Sequence, residues 1–296
     1  MKITKLLTII SILLLFSQCT ENKIKTDLTK ENLKGRVKSI KETPYHVVEK
    51  FGEVTKGDIN IEGGYLTDDY WLLLSSIWHK TYNEIGFEME TKKYDANGNT
   101  LKRSVCNYDE KGKLIDWKSY NTKGLESKTT YKYDEKGNQI ESNSYNPKGE
   151  LEYKNTYKYD DKGNQIEDSW YNNRELNRKY TSKYNKKGIM IERNGYNFNG
   201  ELDFKGVFTY DDKGNKIEMN SYNTDGQLKG RHTYKYDDKG NEIEKSEYSY
   251  EYSFIGELVK TESFKFKYDH KGNWIEKIEY ENDIPQRIFE REIEYY

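Results

Sequence analysis

From Tyr82 onward one rule governs this chain of 296 residues: an aromatic residue, usually tyrosine, is followed four positions later by glycine. Tyr94/Gly98, Tyr108/Gly112, Tyr133/Gly137, Tyr145/Gly149, Tyr159/Gly163 and Tyr268/Gly272 are examples, whereas Tyr171 and Tyr280 keep the phase with Glu175 and Ile284 in glycine's place. Successive glycines lie mostly 12 to 14 residues apart and alternate between two flavours, "YDxxGNxI" and "YNxxGEL", so the full period is about 26 residues. A period of that size marks a repeat architecture, in which neighbouring units bury what one unit cannot.

Asp or Asn, two polar residues and then Gly is the chemistry of a hairpin loop. The Asx side chain caps backbone N–H groups and glycine takes the left-handed position. Eight to ten residues remain between reversals, and they alternate. Leu151, Tyr153, Tyr157 and Tyr159 share one parity, while Glu152, Lys154, Thr156 and Lys158 hold the other. Period two means strands with two distinct faces. With Asp134–Gly137 as a four-residue loop, Tyr133 is expected opposite Asn138 and Tyr131 opposite Ile140, and Ser144 opposite Leu151. Ile140, Ser142 and Ser144 then join the tyrosine face. Glu141, Glu167, Glu192, Glu218 and Glu244 face the lysines Lys132, Lys158, Lys183 and Lys235, as cross-strand charge pairs. The expected fold is therefore all-β: an elongated or spirally curved antiparallel sheet of tandem β-hairpin repeats, about seventeen strands.

The chain opens "MKITKLLTIISILLLFSQC". Its apolar run, Leu6 to Phe16 broken by Thr8 and Ser11, is too short for a bilayer span of about 20 residues and suits the core of a secretory signal peptide. Leu15-Phe16-Ser17-Gln18-Cys19 resembles a bacterial lipoprotein lipobox, though without the usual small residue before the cysteine, and the resemblance implies a lipid on Cys19 that anchors the mature chain to a membrane; the alternative is an ordinary cysteine near a signal-peptidase site. The expected organisation is a signal peptide over 1–18, lipidated cysteine and tether over 19–33, an N-terminal capping region, mainly strands, over 34–80 and the repeat domain over 81–296. "DDYWLLLSSIWHK" within the capping region is read as a strand or short helix covering the first sheet edge. Cys106 is the one other cysteine, so no internal disulfide framework exists, and it reads as a small buried or half-buried residue. The 49 basic residues less Lys2 and Lys5, set against 51 acidic ones, leave the mature chain at −4. The signs are interleaved, which argues against nucleic acid as a partner.

"YDEKGNQI", "YDDKGNKI" and "YDHKGNWI" resemble the YD repeats of Rhs and insecticidal-toxin shell proteins, and "YNPKGEL" and "YNTDGQL" are similar to the MORN-like repeats of short bacterial lipoproteins. The resemblance covers about Tyr82 to Tyr280. It implies a hairpin repeat that winds into a spiral sheet. The chain is too short to enclose a cargo, and its repeats run to "REIEYY", so a toxin domain is not expected; a remnant of a toxin shell is the weakest alternative.

No catalytic constellation is recognisable. His46, His79, His232 and His270 share no ligand spacing, no GxSxG or HExxH motif is present, and the turn carboxylates are read as caps, not metal ligands. His232 falls on the tyrosine parity and is read as packing there. No cofactor and no enzymatic activity are expected. The expectation is an envelope lipoprotein, located at the outer membrane, displaying a binding surface for a protein or glycan; a purely structural envelope component is the alternative. The candidate binding residues are Tyr120, Tyr145, Tyr171, Tyr196 and Tyr222, each five residues after an isoleucine and so on the opposite parity. They are expected as one exposed stripe among the Lys/Glu pairs.

Overall fold

A computed structural model describes residues 26–61, 76–250 and 256–296. The signal peptide, Cys19 and most of "DDYWLLLSSIWHK" lie outside the described residues. After a one-turn helix α1 (Asp27–Lys30) come β1 (Val37–Lys50), β2 (Glu53–Ile59) and β3 (Ile77–Tyr82). The strands β4 (Glu88–Tyr94), β5 (Thr100–Tyr108), β6 (Leu114–Asn121), β7 (Gly124–Tyr133), β8 (Gln139–Tyr145), β9 (Leu151–Tyr159), β10 (Gln165–Asn172) and β11 (Glu175–Tyr184) follow. Then come β12 (Met190–Tyr196), β13 (Leu202–Tyr210), β14 (Lys216–Tyr222), β15 (Leu228–Tyr236), β16 (Glu242–Ser249), β17 (Glu257–Tyr268), β18 (Trp274–Glu281) and β19 (Ile284–Tyr295).

Each strand from β3 to β19 pairs antiparallel with its successor, as the repeats imply. The sheet is not open, however. β1 pairs along one side with β19, from Val37 opposite Tyr295 to His46 opposite Arg287, and on the other side with β3, from Ser39 opposite Thr81 to Glu42 opposite Trp78. Eighteen strands thus close into a barrel, and β2 pairs with the far half of β1. Closure replaces the expected elongated or spiral sheet. Its physical benefit is the removal of both free edges.

The expected register is also corrected. Apart from the two-residue loops, the reversals among the described residues are Asx-x-x-Gly turns finished by a left-handed glycine: Gly137 N–H donates to the Asp134 carbonyl at 3.0 Å, and Asp134 N–H to the Asn138 carbonyl at 2.9 Å. One step further in, every repeat tyrosine opposes two residues. Tyr133 faces Gln139 while Lys132 faces Glu141, leaving Ile140 in a bulge; Tyr145 faces Leu151 while Ser144 faces Tyr153. Tyr131 therefore meets Ser142, not Ile140. The shift is two residues, so face assignments survive it. Bulges raise local twist and bend the strand, and their recurrence at both ends of the hairpins supplies curvature that a regular sheet lacks.

Tyr171 and Tyr280 dispense with glycine because their turns are shorter. Asn173 and Arg174 (φ 45° and 72°), and Asn282 and Asp283 (φ 48° and 64°), are two-residue loops with both centres left-handed, the geometry whose twist matches the strands.

Residues 26–35 decide which face is inside. Leu28 N–H donates to the Gly86 carbonyl at 3.2 Å, and Asn32 Nδ2 to the Lys239 carbonyl at 3.3 Å. Four residues separate these anchors, about 6 Å of helical rise. Along the sheet the two turns are six inter-strand steps apart, roughly 29 Å at 4.8 Å each. So short a strap bridges them only across the concave side. Leu28 packs there with Val37, Ile40 and Tyr82, flanked by Trp78, Ile293 and Tyr295, so the face bearing Ile40 and Trp78 is the inner wall.

Directly opposed residues share a face, and the assignment propagates round the ring. It runs from Glu42 to Arg291, through Phe289/Lys277, Tyr180/Asp168/Tyr157, Ser142/Tyr131 and Trp117/Cys106, and returns by Lys93 and Trp78 to Glu42. The outer wall carries Lys132–Glu141, Lys158–Glu167 and Lys183–Glu192, each at 2.7 Å, and Lys235–Glu244 and Lys267–Glu276, each at 2.8 Å.

Candidate functional site

The five candidate tyrosines all lie on the outer wall at the rim opposite the strap, each beside a turn. Tyr145 is opposed by Lys128 on β7 and Leu151 on β9, Tyr196 by Lys179 and Leu202, and Tyr222 by Lys205 and Leu228. The geometry brings them into the same row as the charge pairs. It does not leave them fully exposed: all five are half-buried, and at three of them a cation of the neighbouring strand lies over the ring. Arg103 stands 5.5 Å from the Tyr120 centroid, Lys179 5.3 Å from Tyr196 and Lys205 5.9 Å from Tyr222. Beside Tyr145 a cleft of about 350 Å³ is lined by Leu125, Lys128, Thr130, Pro147 and Gly149.

Below the tyrosines the carboxylates are firmly charged. Glu141 accepts from Lys132 at 2.7 Å and Lys154 at 2.8 Å, and Asn143 Nδ2 donates to it at 2.7 Å. The Lys132 hydrogen bond, then that of Lys154, pulls its pKa down to about 2. Glu192 is lowered in the same way, chiefly by Lys183. Carboxylates so held are poor proton carriers. The outer wall is a rigid lattice of paired charges.

The turn carboxylates are caps. Asp134 Oδ1 accepts from Asn138 N–H at 2.7 Å while Asn138 Nδ2 donates to Asp134 Oδ2 at 2.9 Å, and Asp95/Asn99, Asp160/Asn164 and Asp211/Asn215 repeat the pair. In the other flavour the partners exchange. Asn146 Nδ2 donates to Glu150 Oε2 at 2.8 Å, and Asn197 Nδ2 to Glu201 Oε2 at 2.9 Å. Among the described residues no group of three or more His, Cys, Asp or Glu is placed to hold a metal. Cys106 is 6% exposed, and burial pushes its thiol up to about 11. His232 stands on the inner wall 3.7 Å from Glu247, not in an apolar cluster.

Sequence reasoning missed the inner wall as a chemical surface. Arg291 pairs with Glu42 at 2.8 Å and lies 3.4 Å from the Trp274 ring, while Trp78 Nε1 donates to Glu42 at 3.1 Å. Beside it Phe264, Phe266, Trp274 and Lys277 line a cleft of about 280 Å³. The parity of Phe264, Phe266 and Arg291 was readable, but which parity turned inward depended on closure.

No family model matches the chain, and no curated protein does. Among solved structures it is similar to a porin-like protein from Bacteroides uniformis, with 12% identity over 88% of this chain and 98% of that one, at a TM-score of 0.41. A porin-like protein from Bacteroides vulgatus aligns over 68% of this chain and 95% of its own, with 10% identity and a TM-score of 0.35. The Photorhabdus luminescens Tc holotoxin pore aligns over 73% of this chain, with 12% identity and a TM-score of 0.34, and this chain spans 14% of its length. The fold itself defines the class: an antiparallel all-β barrel built from tandem hairpins.

Proposed function

We propose that this protein is a non-enzymatic scaffold of the bacterial cell envelope, tethered through Cys19, whose outer wall presents the row Tyr120, Tyr145, Tyr171, Tyr196 and Tyr222 to a protein or glycan partner. The observation that carries the reading is the outer wall itself: half-buried aromatic rings with cations over them, above a lattice of paired charges, and a cleft beside Tyr145. Rings fixed at low entropy cost beside adaptable polar groups suit recognition.

Ladders of lysine and glutamate do not face hydrocarbon, where each lysine on the lipid side costs about 2–4 kcal/mol at mid-depth. The barrel therefore works in water. Cys19 to Thr26 is seven residues, a reach of at most about 25 Å. A lipid on Cys19 holds the strap end against the membrane and turns the tyrosine row outward from it.

The test replaces Tyr145, Tyr171 and Tyr196 together with Ser and compares envelope pull-downs, glycan-array binding and the melting temperature with the parent. Loss of a partner at a nearly unchanged Tm supports the reading. A fall in Tm with every partner retained makes the row structural and favours a purely architectural component.

A further inference from the structure

Eight turns form the strap-end rim of the barrel, and each runs Asx, two residues, Gly. In seven of them the third residue is lysine, from Lys111 in the turn Asp109–Gly112 to Lys271 in Asp269–Gly272. The turn Asn83–Gly86 departs from this: Ile85 stands in lysine's place and is 65% exposed. The repeat supplies its own control, since the other turns show that this geometry does not call for an aliphatic side chain.

That turn is also where the strap enters. Leu28 N–H donates to the Gly86 carbonyl at 3.2 Å, and a Cβ on Gly86 would lie 3.1 Å from Thr26 Oγ1. Thr26 follows Cys19 by seven residues, so it sits at most about 25 Å from a lipid there. Around Ile85 the surface has the make-up of an interfacial anchor. Tyr296 is 47% exposed and its hydroxyl donates to the Tyr82 carbonyl at 2.6 Å, while Arg36 lies 5.5 Å from its ring and pairs with Glu84 at 3.0 Å. Lys30 is exposed on the strap. An apolar tip, an aromatic ring and long cations whose stems lie along an apolar boundary suit the headgroup layer of a membrane. Elsewhere on the rim the balance of charge changes. Five of the seven lysine turns carry two carboxylates against one lysine, as at Asp134/Glu135 and Asp160/Asp161, and an anionic membrane surface repels them.

We propose that Ile85, with Tyr296, Lys30 and Arg36, is a docking patch for the headgroup layer of a phospholipid membrane, so that the barrel leans on the bilayer at its seam and not on its whole rim. The proposal rests on the reading of Cys19 as a lipid anchor: one isoleucine and one tyrosine hold a membrane weakly, but a short tether keeps them at high effective concentration beside it.

The test reconstitutes the mature lipidated chain, strap included, in vesicles of phosphatidylethanolamine and phosphatidylglycerol. An environment-sensitive fluorophore is placed on Glu84→Cys, Glu135→Cys or Thr224→Cys, the second residue of a turn at the seam, elsewhere on the same rim and on the opposite rim. Cys19 is acylated and Cys106 buried, so neither takes the label. The label at Glu84 should shift to the blue and be quenched by spin-labelled lipid, and the other two should keep their aqueous spectra. Adding Ile85→Lys, which gives this turn the lysine of the other seven, should abolish the quenching at unchanged Tm. No quenching at Glu84, equal quenching at Glu135, quenching at Thr224, or quenching indifferent to Ile85→Lys overturns the proposal. Should Cys19 prove to carry no lipid, the same labels are read on the chain from Thr20 held to nickel-chelating vesicles by an N-terminal polyhistidine tag. Quenching that depends on Ile85 there keeps the docking patch while the lipoprotein reading falls, and its absence overturns the patch as well.

Discussion

The hydroxyl of Tyr159 donates to the main-chain carbonyl of Gln139 at 2.7 Å, across a point where the ladder between β8 and β9 has already ended at Glu141/Thr156. Tyr108 reaches Glu88, Tyr133 Leu114, Tyr184 Gln165 and Tyr236 Lys216 in the same way. The bulge strips a carbonyl of its strand partner, and the next repeat's phenol replaces it. The repeat tyrosine at the strap end is thus a stitch between hairpins. Tyr159→Phe should cost about 1 kcal/mol, the net worth of such a bond. Tyr145→Phe on the outer wall should stay within about 0.5 kcal/mol. Urea unfolding of both variants checks the contrast, and equal costs would refute the stitch.

The Glu141 cluster predicts a pH response of definite sign. Its folded pKa, about 2, lies below the ordinary 4.5 because Lys132 and Lys154 hold the carboxylate. Stability from this group is complete above pH 4.5 and is lost as the pH falls from there toward 2. Glu141→Gln should lower Tm at pH 7 and flatten its decline between pH 4.5 and 2. A decline as steep as the parent's would remove Glu141 from the account.

At the turns, Gly137 and Arg174 both hold left-handed positions, at φ 92° and 72°. A Cβ on Gly137 would meet only the Lys113 side chain, 3.2 Å away, so Gly137→Ala tests the backbone alone and should cost about 1–2 kcal/mol. Arg174, at φ 72°, already bears that strain. Arg174→Gly should stabilise by up to about 1 kcal/mol, with thermal melts of the two variants moving in opposite directions.

Closure rests on a buried pair. Glu42 and Arg291 are 11% and 14% exposed, and Glu42 also receives Trp78 Nε1. Glu42→Ala leaves the guanidinium uncompensated and should cost about 3–5 kcal/mol. Hydrogen exchange should report the loss first in β1, β3 and β19, and uniform destabilisation of all strands would speak against a local seam.

Changing Cys19 to Ala should abolish labelling by radioactive palmitate and release the protein from the membrane fraction. Undiminished labelling would end the lipoprotein proposal and, with it, the orientation of the tyrosine row.

Hairpin rhythm, turn chemistry and the two faces of each strand were all legible in the residues, because each depends on contacts within about a dozen positions. That Lys132 shares a face with Glu141, and Tyr131 with Ser142, followed from parity alone. The turn Asp and Asn were readable as caps of backbone N–H groups, whereas the side-chain pairs of Asp134 with Asn138 and of Asn146 with Glu150 came from the structure. Register was not readable, since a bulge beside Tyr133 or Tyr145 has no residue signature of its own. Closure was beyond any local reading. β1 carries no repeat, yet Ile40 meets Ile293 across more than 250 residues, and only the curvature summed over seventeen strands brings them together. That same curvature, with the strap from Leu28 to Asn32 spanning the concave side, made the face of Trp170 and Tyr180 an interior and the face of Tyr145 an exterior. Parity could separate those faces, but only the closed ring could say which one looks inward.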